Sequence, residues 1–100
     1  MTERISKNEE RLDNAIISIK KLSGALENFR EQRKNIDLLN KYYGSNSWFK
    51  DKEAYEKRKI PRIKAGVLSE DAVWNMLNDI KDILLEMQST IDEYSKINNK

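Results

Sequence analysis

Apolar residues recur along the first part of the chain in two rows. Ile5, Leu12, Ile19 and Leu26 form one row; Ala15, Leu22, Phe29, Ile36 and Tyr43 form the other. Members of each row stand seven apart, which makes them the a and d positions of a heptad repeat. The pattern predicts one helix over about 3–42, roughly 60 Å long. Asn8 (d), Arg33 (a) and Asn40 (a) interrupt the seam. Polar residues there can set register or partner number, and Arg33 can lay its stem on the seam with its head in water. Ile16 widens the stripe. Ile17 and Leu38 share a position on the far side of the wheel and hint at a second packing surface. Gly24 lies off the seam, where a slight bend or a close neighbour suits it better than a break.

The same spacing returns near the other end. Leu77, Leu84 and Ile91 form one row, and Val73, Ile80, Met87 and Tyr94 the second, broadened by Met76, Ile83 and Ile97. A helix is predicted over about 70–97, with residues 98–100 frayed. Its start carries the clearest local signal in the chain. Ser69 is the expected N-cap, and Glu70 and Asp71 put carboxylates beside unpaired backbone N–H groups. Leu68 and Val73 have the spacing of a hydrophobic staple. Asp71 is also expected to pair with Arg62 or Lys64.

Between the heptad stretches the pattern changes. Gly44 follows Tyr42-Tyr43 and fits a left-handed helix cap. Ser45-Asn46-Ser47 is turn chemistry, with Ser47 as a candidate N-cap for a short helix from Trp48 to about Lys59. In it Trp48, Tyr55 and Ala54 or Phe49 can face inward, with Lys50, Lys52, Lys57, Arg58 and Lys59 in water. Pro61 turns Ile60 away from helix and ends the element. Residues 60–68 are expected to be an extended connector anchored by Ile63 and Val67.

These elements predict an all-α fold. It is an antiparallel two-long-helix coiled-coil hairpin, residues 1–100 as one domain, with a short third helix in the connector over about 45–68. Two helices alone leave apolar surface uncovered, so a homodimer with a four-helix core is expected.

Composition narrows the chemistry. Apolar residues make up 38% of the chain and charged residues 36%, which suits long one-striped helices better than a thick core. The net charge is +2, but it is unevenly spread: residues 50–68 carry +4 and residues 69–100 carry −4. Mutual neutralisation within the fold is the simpler account; nucleic-acid binding by the basic middle is the alternative. The chain has no cysteine and no histidine. That excludes disulfides, thiolate or imidazole metal sites, and the usual nucleophile–base pairs. No glycine-rich phosphate loop is present. Asp79, Asp82 and Glu86 share one helix face, best read as solvated acid, because carboxylate metal sites in helical bundles need a Glu-x-x-His partner. No cofactor and no enzymatic activity are expected. No signal peptide or membrane span is legible, and a cytoplasmic location is expected.

The motifs Tyr42-Tyr43-Gly44-Ser45, Trp48, Pro61 and Gly66-Val67-Leu68-Ser69-Glu70-Asp71-Ala72-Val73-Trp74 resemble the bacterial family known as domain of unknown function family 4298. The specific match covers the connector, about a third of the chain; the flanking helices are similar in character. The resemblance implies a bacterial source and a helical fold, and it brings no activity with it.

Function is therefore expected to be interaction. The first expectation is a helical module that binds another protein or itself through its heptad faces. Tyr42, Tyr43, Trp48, Tyr55 and Trp74 are candidate binding residues in the head, where both tryptophans are first of all core plugs. A nucleic-acid accessory is the second, using Lys50, Lys52, Lys57, Arg58, Lys59, Arg62 and Lys64, with Trp48 and Tyr55 stacking on bases. A third is a small helical-hairpin secretion substrate, which the chain resembles in length and in Trp48. The Trp-x-Gly of that group is replaced here by Trp48-Phe49-Lys50.

Overall fold

The computed structural model describes residues 1–97. Among them there are four α-helices and no strands. The helices are α1 (Thr2–Glu31), α2 (Arg33–Tyr42), α3 (Asn46–Glu56) and α4 (Ala72–Tyr94), with a 3-10 turn at Gly66–Leu68. The chain divides into two compact units, Met1–Leu38 and a second from Leu39 onward. The expected fraying of 98–100 lies outside the described residues.

The first unit is built on α1. None of the 30 residues of this helix is buried. Both heptad rows are largely in water: Ile19 and Leu22 are each 65% exposed. The single helix expected over 3–42 is divided at Gln32. Its N–H bonds to the Phe29 carbonyl at 3.1 Å, three residues back instead of four, and Ile36 N–H restarts the ladder on the Gln32 carbonyl at 2.9 Å. The side chains follow, with Asn35 Nδ2 donating to Gln32 Oε1 at 3.0 Å. Polar Glu31 to Asn35 offers no apolar packing to hold the regular register through this step.

In the second unit, Gly44 takes the left-handed conformation expected of it, with φ 75°. This swings the chain so abruptly that the next helix starts at once. Ser45, not Ser47, is therefore its N-cap: Ser45 is extended, and its Oγ accepts from Trp48 N–H at 3.2 Å. Ser47 lies within the first turn.

The end of α3 also differs from expectation. Pro61 does not stop it; a capping motif does, several residues earlier. Lys59 N–H reaches the Ala54 carbonyl at 2.8 Å and Arg58 N–H reaches Tyr55 O at 3.1 Å. This is the paired pattern of a Schellman cap, whose left-handed position is usually glycine. Here Arg58 fills it, with φ 57°. A side chain in this conformation costs about 1–2 kcal/mol, partly offset by the entropy glycine loses on folding. Arg58→Gly is expected to stabilise the unit by about 0.5–1 kcal/mol, read as a rise in the urea midpoint at unchanged m-value. A lower midpoint would mean that the Arg58 side chain contributes more than its backbone strain costs.

The connector is not extended throughout. The 3-10 turn at Gly66–Leu68 packs against both α3 and α4. Ile63 and Val67, expected as anchors, are exposed, and the anchoring apolar residue is Leu68. Ser69 caps as expected: its Oγ accepts from Ala72 N–H at 3.0 Å. Regular helix begins only at Ala72, so Glu70 and Asp71 form a turn ahead of it instead of its first turn. Helix α4 ends at Tyr94 and not at 97, where Ser95 Oγ donates to the Asp92 carbonyl at 2.8 Å. A serine hydroxyl competing locally for a helix carbonyl favours such an end.

Candidate functional site

The buried core of the described residues is small: Trp48, Leu68 and Val73, all in the second unit. Leu68 and Val73 are the two residues of the expected staple. Trp48 is 4% exposed, and its surroundings explain why. Its Nε1 donates to the Val67 carbonyl at 2.8 Å. Tyr43 meets it edge-on, with ring centroids 5.2 Å apart and planes at 72°. Phe49 lies edge-on at 4.9 Å, and Lys52 Nζ is 5.6 Å from the ring centroid, in cation–π range.

Polar contacts tie this cluster to the start of α4. Tyr43 OH donates to the Glu70 backbone carbonyl at 2.6 Å. Lys52 Nζ bonds Glu70 Oε1 at 3.1 Å and lies 3.5 Å from Glu56 Oε1. The hydrogen bond it donates to Glu70 comes first in holding the Lys52 ammonium above its ordinary pKa. Lys52, expected to face water, is thus half-buried in a bridge between α3 and the turn ahead of α4. Asp71, expected to pair with Arg62 or Lys64, makes no ion pair among the described residues; Glu70 makes one instead, with Lys52. Its position two residues after the buried Leu68 places Glu70 opposite Lys52. An open groove of about 440 Å³ lies beside this bridge, lined in part by Lys52, Tyr55, Leu68 and Glu70.

The candidate aromatic residues do not form one surface. Trp74 is not a core plug: it is 57% exposed, because Val73 occupies the inward phase of α4 and the next residue is turned away by one helical step. Tyr55 is half-buried, its face covered by the Arg62 guanidinium at 4.8 Å. Its hydroxyl donates weakly to the Ile63 carbonyl at 3.5 Å. Tyr42 points elsewhere, with its OH on Asp51 Oδ2 at 2.6 Å.

That last bond sets a pH dependence. The hydrogen bond to Asp51 is the main cause that pushes the Tyr42 phenol up from 10.0 to about 12; desolvation and the carboxylate charge add to it. A phenol with a raised folded pKa stabilises the fold while protonated, and that contribution is lost as pH rises from about 10 towards 12. In an ultraviolet titration of the folded chain, one of the four tyrosines should ionise late. Asp51→Asn should bring Tyr42 back towards 10.0; an unchanged late phase would contradict this assignment.

The basic segment is partly committed. Lys52 is held as described, Lys57 pairs with Glu53, and Arg62 lies on Tyr55. Lys57 is raised and Glu53 lowered in pKa, each chiefly by their shared hydrogen bond. Lys50, Arg58, Lys59 and Lys64 are exposed. Trp48, buried, presents no face for stacking on a base.

Sequence reasoning missed the Tyr43–Glu70 and Lys52–Glu70 contacts, which no spacing announces. It also undervalued the exposed apolar side chains. From Ile83 onward α4 carries Ile83, Leu84, Leu85, Ile91 and Tyr94, all about half exposed or more, in addition to the two rows of α1. Among the described residues no helix is long and apolar enough to cross a membrane.

A family model described as "Domain of unknown function (DUF4298)" matches residues 5–99. The chain belongs to this family. No curated protein and no solved structure matches it significantly.

Proposed function

We propose that this member of the DUF4298 family is a non-enzymatic helical interaction module. It associates with itself or with another protein through the heptad faces of its long helices. The head around Trp48 is the fold-defining clamp, and the heptad faces are the binding surface.

One observation carries this: α1 repeats apolar residues every seventh position and buries none of them. Isolated helices draw little stability from propensity alone and most of it from covering an apolar face. A 30-residue helix with two such rows in water is therefore built to be covered. The inward-facing polar contacts of the head support its structural role, since the Trp48 and Tyr43 polar atoms are already bonded to backbone.

Affinity capture with the full chain and with Leu12→Glu/Leu22→Glu tests the proposal, read beside the solution mass of both. The expected result is a mass above that of one chain, or a specific partner in stoichiometric amount, with the share that α1 carries lost in the variant. A chain that stays monomeric and takes no seam-dependent partner would sink the proposal.

A further inference from the structure

We infer that the C-terminal half of α4 is a homotypic interface, pairing antiparallel with α4 of a second copy about an axis near Ser89. This rests on the interaction-module reading and names the partner for one of its surfaces.

The inference starts from where α4 is covered and where it is not. Val73 is buried and Met76, Leu77 and Ile80 are half-buried; from Ile83 onward the stripe opens to solvent, Met87 excepted. The open part contains four seam residues: Leu84 and Ile91 at a, Met87 and Tyr94 at d. Antiparallel seams stack a against d. A two-fold axis beside Ser89 then closes four layers at once. Leu84 meets Tyr94 of the second copy, Met87 meets Ile91, and both contacts repeat by symmetry.

Charge decides between a second copy and a partner of opposite charge. The helix is acidic as a whole, which at first sight disfavours self-pairing. Its acids, however, sit at b, c and f: Asp79, Asp82, Glu86, Asp92 and Glu93, away from the seam. The e and g flanks over the open part are Ile83, Gln88 and Thr90, with Ser95 at the C-cap, all uncharged, so no like charges confront each other across the pair. The one flanking charge is Lys81 at e. In the antiparallel register it lies opposite Ser95 of the second copy, one turn from Asp92. Asp92 is turned towards that flank, its Oδ1 accepting from Gln88 Nε2 at 3.1 Å. The symmetry supplies two Lys81–Asp92 pairs. A parallel pair would set Lys81 against apolar Met76 and give neither.

Sedimentation equilibrium of the full chain, its apolar α1 rows intact, tests this with three variants. Leu84→Glu should weaken the dimer by about 30-fold or more, as loss of a central apolar anchor does. Lys81→Glu should weaken it by about tenfold, through two new like-charge pairs. Lys81→Glu/Asp92→Lys should restore the wild-type constant, which neither charge alone could do if the residues were not neighbours between copies. Far-UV circular dichroism checks that the exposed substitutions leave the fold intact. A monomer at all concentrations overturns this inference, as does a dimer indifferent to the α4 variants. The broader proposal falls only if seam-dependent partner capture fails as well.

Discussion

Trp48→Ala is expected to unfold the second unit's head at room temperature or bring it to the edge of unfolding. Truncating a buried tryptophan costs about 3–5 kcal/mol, and small domains hold only about 5–15 kcal/mol in total. The head has little else to fall back on: Leu68 and Val73 are the other buried side chains, and Leu68 sits on the turn whose Val67 carbonyl the indole holds. Loss of the ring also removes the surface against which Tyr43 and Lys52 are placed. Trp48→Phe separates the two contributions: it keeps apolar volume and gives up the Nε1 bond, for about 1 kcal/mol. The matched control is Trp74→Ala. That side chain is exposed, and its loss should stay within about 0.5 kcal/mol. Urea unfolding followed by fluorescence reads all three, because each alanine variant keeps the other tryptophan as reporter. Equal costs at the two positions would contradict the assignment of Trp48 as the sole plug.

The second large effect concerns α1. Leu12→Glu/Leu22→Glu removes two seam residues from opposite rows. If the rows are covered in the working state, each leucine contributes about 1.5–3 kcal/mol of burial. Together they should shift the association constant by about two to four orders of magnitude. Helicity should fall with them, because a helix without a covered face is held mainly by its weak intrinsic propensity. Lys20→Ala/Lys21→Ala, on the outer face, should change association by no more than about 0.5 kcal/mol. An association as strong in the glutamate variant as in the native chain would place the interface elsewhere.

What could be read from the sequence follows from how local each cause is. Gly44 and Ser69 were legible because a left-handed cap and a helix start each need a residue type that few others replace. The helical class followed from periodicity over many residues. The division at Gln32 was not legible, since a one-residue change in hydrogen-bond step leaves the apolar rows intact. Nor was the cap at Arg58: the motif usually shows itself by glycine, and here a non-glycine residue bears the strain, so Pro61 took the blame for the stop. The choice between Ser45 and Ser47 depended on how sharply Gly44 turns the chain. Trp74 is not a plug because helical phase gives the inward position to Val73 and turns the next residue away. The Lys52–Glu70 bridge joins residues 18 apart through a folded turn, and only the three-dimensional arrangement selects Glu70 over Asp71.

The central claim is that the heptad face of α1 is a surface made to be covered by protein. Sedimentation equilibrium over a hundredfold range of loading tests it most directly, with the native chain beside Leu12→Glu/Leu22→Glu and candidate partners from affinity capture added in turn. The account predicts a mass that rises with concentration or partner above the 11.8 kDa of one chain, and, once Leu84→Glu has also removed the α4 interface, an α1 variant that remains at 11.8 kDa under the same conditions. A native chain that stays at the single-chain mass throughout, alone and with every partner offered, would contradict it.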